Sequence, residues 1–283
     1  LNLSREADHK QFLELVKDAD ILLTNFKLGD DRKLGLESKS LLKINPRLII
    51  GKISGFGDQS DRVAYDLILQ AETGFMSMNG TKDSGPIKMP VALIDVLAGH
   101  QLKEGILLAL MERQLTGKGR EVSVSLYDAA ICSLANQASN YLMTGHVAQR
   151  IGSLHPNIAP YGELFKTKDG ATLTFAIGSD NHFEKFTTEL GVPELARDAR
   201  FVHNQQRLEN REILFALLET LIYQFDSEQL LANLHLKHVP CAKVKALDEV
   251  FQAEEAKALV LSEDIEGKAT KRVRTTAFKL NHD

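Results

Sequence analysis

Apolar residues at helical spacing take turns along the chain with short apolar runs bounded by turn residues, and this alternation predicts helices and strands in succession. Over 9–18, Phe12, Leu13 and Val16 share one helical face. Ile21-Leu22-Leu23 reads as a short buried strand. A glycine-containing turn, a helix over about 35–43 and the run Leu48-Ile49-Ile50-Gly51-Lys52-Ile53 follow. Helix–strand–helix–strand at this spacing predicts βαβ units and a parallel sheet. The second strand runs into Ser54-Gly55-Phe56-Gly57, a loop at a strand C-terminus, where ligands sit in open α/β sheets.

Residues 66–78 carry a mixed helical pattern and lead to a loop with Asn79-Gly80, Gly85-Pro86 and Pro90. The strongest helical segment is 96–114. Leu97, Ile106, Leu107, Leu108, Leu110 and Met111 make it apolar around most of its circumference, which predicts a buried helix. Gly117-Lys118-Gly119 ends it, 121–126 alternates as a strand, and 128–143 reads as a helix. The texture changes near 150. Tyr161 to Lys168 and Ala171 to Ile177 flank Asp169-Gly170, a strong hairpin signal. Helices are predicted at 180–190, 205–223 and 226–235. The expected architecture is α/β: an open parallel-sheet, Rossmann-like large domain over 1–149, a smaller α+β domain over 150–243, and a segment 244–283 returning to the large domain.

Composition narrows the function. The 283 residues make one large or two modest domains. Hydrophobic residues at 43% and charged ones at 25% exclude a disordered or fibrous chain. The longest apolar run, Ile106 to Met111, falls far short of the roughly 18 residues of a membrane span, so no membrane partner is expected. A net charge of −4 argues against a binder that tracks nucleic-acid phosphates. Cys132 and Cys241 imply no disulfide framework. With no signal peptide in view they read as reduced thiols of a cytoplasmic protein, a targeting segment ahead of Leu1 aside.

Asp95 lies between the Pro-bounded stretch Pro90-Val91-Ala92-Leu93-Ile94 and the apolar helix. Its plainest role is an N-cap. The same geometry serves chemistry, because a helix N-terminus favours an ionised carboxylate and its amides can hold a developing oxyanion. Gly55 and Gly57 fail the dinucleotide fingerprint, since position 60 is Ser. They read as a tight turn or as a backbone approach to a ligand. His235, His238 and Cys241 have a spacing suggestive of zinc but no fourth ligand nearby, which favours ordinary packing. His100 does not share the face of Asp95, and His155-Pro156 reads as a turn. Serine-hydrolase, P-loop and zincin motifs are not found.

Taken in order, several stretches resemble the class III CoA-transferases, the superfamily of formyl-CoA transferase, carnitine CoA-transferase and α-methylacyl-CoA racemase. They are Thr24-Asn25-Phe26-Lys27-Leu28-Gly29, with Leu28 in place of a usual proline, then Ile44-Asn45-Pro46-Arg47-Leu48-Ile49, then Ile53-Ser54-Gly55-Phe56-Gly57. Asp95 with Ala98-Gly99 comes next. Leu115-Thr116-Gly117-Lys118-Gly119-Arg120, Ser125-Leu126-Tyr127-Asp128-Ala129-Ala130 and His155-Pro156-Asn157-Ile158-Ala159-Pro160-Tyr161 complete the set. The resemblance covers almost the whole chain.

It implies that Asp95 is a catalytic nucleophile that carries CoA covalently, with Gly55 and Phe56 beside the thioester. It implies coenzyme A contacts at Asn25, Phe26, Lys33, Leu34, Ser54 and Tyr65. CoA and acyl-CoA are then substrates, with no permanently bound cofactor and no metal, and the other partner is a carboxylic acid. The implied assembly is an interlocked homodimer, and substrate choice is set near Gly178-Ser179-Asp180-Asn181. The racemase branch has a His-Asp pair where this chain has Tyr65-Asp66, and a phenol with an ordinary pKa of about 10 replaces imidazole poorly in proton exchange. Transferase is therefore preferred over racemase. A third alternative is a CoA-binding relic without turnover. Family members are longer, and the resemblance implies a chain truncated at both ends, with a large domain incomplete at its N-terminus for want of a front strand–helix segment and without the further tail.

Overall fold

The computed structural model describes residues 1–280; residues 281–283, the end of the expected return segment, lie outside the described residues. Contacts divide the chain into two units, Leu1–Gly152 and Ser153–Asp283.

The first unit opens with α1 (Glu6–Asp18), β1 (Ile21–Thr24), α2 (Asp30–Lys33), α3 (Ser38–Ile44) and β2 (Ile49–Ser54). It continues with α4 (Asp66–Glu72), α5 (Phe75–Met78), α6 (Leu93–Thr116), β3 (Glu121–Ser125), α7 (Leu126–Cys132) and α8 (Ala135–Thr144). The three strands pair in parallel in the order β1-β2-β3. Because side chains alternate along a strand, Ile49 and Ile50 face opposite layers. Ile50 joins Val16, Leu36, Leu41 and Leu48 under α1 and α3, and Ile49 joins Leu102, Ile106 and Ala109 of α6. The predicted parallel sheet with helices on both faces is present.

Polar side chains pin the ends of these layers. Asn45 donates through Nδ2 to the carbonyls of Val16 (3.0 Å) and Ala19 (2.9 Å), closing the C-terminus of α1. Arg113, buried near the end of α6, donates to the carbonyls of Asp20 (3.3 Å) and Arg47 (3.1 Å) and pairs with the Asp20 carboxylate at 2.9 Å. Gly119 crosses so close to the chain before β2 that a Cβ there would lie 1.9 Å from the carbonyl oxygen of Leu48. Only glycine fits such a crossing.

Four expectations need correction. α6 is not buried all round: Leu107, Leu108, Met111 and Leu115 are exposed, the last at 89%. Its apolar composition is real, but a single sheet covers only the stripe of Leu102, Ile106 and Ala109. Among the described residues β1 pairs with β2 alone, and as an edge strand it leaves Ile21 and Leu23 exposed. The helix expected over 128–143 is two helices, with Ala135 at φ +49° marking the break. Finally, the N-cap position of α6 is Ala92, and Asp95 sits inside the first turn.

The second unit pairs β4 (Tyr161–Lys166), β5 (Thr172–Ala176) and β6 (Cys241–Lys243) in an antiparallel sheet, with the Asp169-Gly170 turn joining β4 to β5 as expected. α9 (Asp180–Glu189), α10 (Asn204–Glu209), α11 (Arg211–Ile222) and α12 (Ser227–Leu236) supply its helices. Phe165, Phe175, Phe183, Phe186 and Phe201 pack with leucines of α11 and α12 into one core. Short helices α13 (Leu247–Val250) and α14 (Glu254–Lys257) lead to a hairpin of β7 (Val260–Ile265) and β8 (Lys268–Val273).

Candidate active site

At the C-terminal ends of β1 and β2, the first unit encloses a cavity of about 550 Å³. The chain leaving β1 supplies Asn25, Phe26 and Lys27. The chain leaving β2 supplies Ser54 and Gly55, and the returning loop adds Asp61, Arg62, Ala64 and Tyr65. Asp95 enters from the first turn of α6. Six of the nine residues singled out in the sequence therefore line one cavity: Asp95, Gly55, Ser54, Asn25, Phe26 and Tyr65. This is where an open parallel sheet places ligands.

The other three lie elsewhere. Phe56 packs beneath the cavity with Leu69, Ile94 and Ala130, its ring 6.0 Å from that of Tyr127 and capped by the Arg62 guanidinium at 4.0 Å. Lys33 pairs with Asp30 at 3.2 Å on the exposed surface of α2. Leu34 packs against the core between α1, α3 and the sheet.

The electrostatics of Asp95 run opposite to the simple helix-dipole expectation. Partial burial, followed by the neighbouring Asp66 carboxylate, pushes its pKa above the ordinary value. Asp95 still meets solvent, and the raised pKa makes its carboxylate more basic than usual. The first turn of α6 has no cap of its own, and Asp66 supplies one from α4 by accepting the Ile94 amide at 2.8 Å.

Sequence reasoning missed four residues here. Asp66 and the fully buried Gln70 stand four apart on a short helix and flank Leu67, Ile68 and Leu69, the spacing of one helical face, and that was the available signal. Lys52, read as part of an apolar strand, reaches the cavity wedged between Asp31 (3.4 Å) and Glu121 (3.0 Å). Burial opposes its charge, but the two carboxylates outweigh burial and hold its pKa above the usual lysine value. Arg62 is fixed over Phe56 by a salt bridge with Glu72. Of the histidines, His235 reaches the Cys241 carbonyl at 3.1 Å, and burial raises the Cys241 thiol to about 11. Among the described residues no group of three or more His, Cys, Asp or Glu side chains is placed to hold a metal ion.

The parallel sheet, the cleft at its C-terminal edge and a carboxylate at a helix start define the class, and the model of CoA-transferase family III matches residues 1–283. The chain belongs to that family. It is 34% identical over 255 residues to a succinate–glutarate CoA-transferase of Agrobacterium fabrum, covering 89% of this chain and 63% of that protein. It is 37% identical over 244 residues to an acetyl-CoA:oxalate CoA-transferase of Acetobacter aceti, covering 85% and 62%. A crystal structure of a CaiB/BaiF family protein from Brucella suis superposes with a TM-score of 0.86 at 38% identity, covering all of this chain and 74% of that one. The chain thus spans somewhat under two thirds of the length of these curated relatives.

Proposed function

We propose that this chain carries the catalytic aspartate of a CoA-transferase that moves CoA from an acyl-CoA to a free carboxylic acid. The observation that carries the reading is the convergence of Asp95 with Asn25, Phe26, Ser54, Gly55 and Tyr65 on one cavity at the C-terminal edge of a parallel sheet. The relatives act, by their names, on succinate and glutarate and on acetyl-CoA and oxalate, which points to a small dicarboxylic acid as acceptor here.

The Asp95 carboxylate attacks the thioester carbonyl, the C–S bond breaks, and CoA leaves as thiolate from a mixed anhydride. The thiolate then attacks the aspartyl carbonyl and expels the donor's acid, leaving CoA as a thioester on Asp95. The acceptor carboxylate reverses both steps and takes the CoA away, which restores the Asp95 carboxylate. No proton is gained or lost overall. A carboxylate suits the work because it is anionic at neutral pH and each anhydride contains a good leaving group. A basicity above the ordinary strengthens it as a nucleophile, and the backbone amides around Gly55, which lines the same cavity, would receive the oxyanion.

The test is transfer itself. With succinyl-CoA and glutarate, the chain is expected to form glutaryl-CoA detectable by chromatography, and hydroxylamine is expected to convert Asp95 to a hydroxamate found by peptide mass analysis. Transfer by the Asp95→Ala variant would sink the reading. Tyr65 in place of a histidine leaves proton exchange at the α-carbon without a fitting base, so the racemase alternative draws no support from this cavity.

A further inference from the structure

The segment that delivers Asp95 to the cavity has almost no packing of its own. Residues 86–92 are all exposed, and the chain becomes buried only at Ile94. Exposed backbone without apolar anchors samples many conformations, yet Asp95 lies only three residues beyond it. Among the described residues, the hydrogen bonds that tie 88–94 to another element come from two side chains of α4. Gln70 accepts the Met89 amide through Oε1 at 2.7 Å and donates through Nε2 to the Val91 carbonyl at 3.5 Å. The same Nε2 donates to Asp66 Oδ2 at 2.6 Å, and Asp66 Oδ1 accepts the Ile94 amide at 2.8 Å. Gln70 is fully buried, beside Leu69 in the apolar cluster that also holds Ile94.

A buried glutamine is retained at a cost unless its amide is satisfied. This one is satisfied by Met89 and Val91 of the approach to Asp95 and by Asp66, which itself holds Ile94. We infer that Gln70 is a positioning residue for the reaction: through Met89 and Val91 directly, and through Asp66 at Ile94, it sets where the first turn of α6 begins and so where the Asp95 carboxylate meets the thioester. Gln70 does not line the cavity and touches no reacting atom. Its effect is on alignment, where an error near 1 Å in a nucleophile's position costs about 10²-fold in rate.

The inference rests on the transferase reading for its kinetic arm and is independent of it for its structural arm. Gln70→Met keeps the buried volume and removes both hydrogen-bonding functions. Its kcat for CoA transfer is expected to fall about 10- to 100-fold with the KM for acyl-CoA within about threefold of wild type, by analogy with the cost of misalignment. Amide hydrogen exchange at Met89 and Ile94 is expected to speed up at least about tenfold while β2 and α11 stay protected. Should Gln70→Met fail to fold, Met89→Pro removes the amide hydrogen that Gln70 accepts, on an exposed residue, and is read by the same kinetic split and by exchange at Ile94. A kcat within twofold of wild type, a matching rise in KM, or unchanged exchange at Met89 and Ile94 overturns the inference. If the wild-type chain transfers no CoA, the functional reading fails, and the exchange measurement still decides whether Gln70 holds the segment.

Discussion

A methyl group placed on Gly55 would stand 2.3 Å from the methyl carbon of Ala64, so the backbone leaving β2 and the loop returning to α4 are in direct contact at the cavity floor. Two carbons cannot approach that closely, and in Gly55→Ala the loop carrying Asp61, Arg62 and Tyr65 must move. Gly55→Ala is expected to weaken CoA-thioester binding by about tenfold or more in calorimetry. Adding Ala64→Gly removes the opposing methyl and is expected to restore binding to within about threefold. A double variant no better than the single one would show that this contact is not the cause.

Asp95 is held in a state that costs stability when ionised. Its folded pKa lies above the ordinary value of 3.8, first through burial and then through Asp66. A raised pKa contributes stability below the unfolded value and loses it as pH climbs through the folded value. Asp95→Asn is therefore expected to melt higher than wild type at pH 7, with the gap closing as pH falls toward 4. An equal gap at both pH values contradicts the assignment of charge as its origin.

Asp169 has the opposite sign. The hydroxyls of Ser227 and Thr167, with the Ser227 amide, hold its carboxyl down at about 2. Its stabilising effect is present above the unfolded value near 3.8 and disappears as pH falls through about 2. Asp169→Ala is expected to lower the urea midpoint at pH 7 and to lose that difference progressively between about pH 4 and pH 2.

In the second unit Arg207 has no exposed surface, while its partner Asp180 is half exposed. Arg207 donates to the carbonyls of Ala159 (2.9 Å) and Phe201 (3.0 Å) and pairs with Asp180 at 2.9 Å, lying over the Phe183 ring. Buried carbonyls left without a donor outweigh a solvent-screened ion pair. Arg207→Met is expected to cost about 2–4 kcal/mol in urea unfolding, and Asp180→Asn under about 1 kcal/mol. Equal losses would mean that the ion pair dominates.

How much of this was legible depends on where a residue's partners lie. The period of 3.6 in α1, the period of 2 in β3 and the Asp169-Gly170 turn are local, and each element is where the pattern put it. The exposed side of α6 was not legible. Composition says that Leu108 and Met111 are apolar but not that the sheet covers only one stripe of the helix. The cavity residues Asn25, Ser54, Gly55 and Asp95 came from motif order. Asp66 and Gln70 did not, because their partners, Met89, Val91 and Ile94, lie 19 to 28 residues away and present backbone amides and carbonyls, which leave no mark in residue type. Lys52 was hidden for the same reason. In a run of isoleucines its carbon stem reads as strand, and only the fold brings Asp31 and Glu121 to it.

Asp95 and Arg113 stand eighteen residues apart on α6, which at 3.6 residues per turn is five complete turns and a length of about 27 Å. Both therefore project from the same side of one rod. Arg113 is fastened where β1 and β2 begin, and the Asp95 end is fastened near where β2 leaves the sheet. A single residue inserted between them would swing one anchor about 100° away from the other and slide it about 1.5 Å. The spacing of this helix is thus as much a part of the site as the carboxylate it carries: the number of residues between the two anchors cannot change without turning one away from the other.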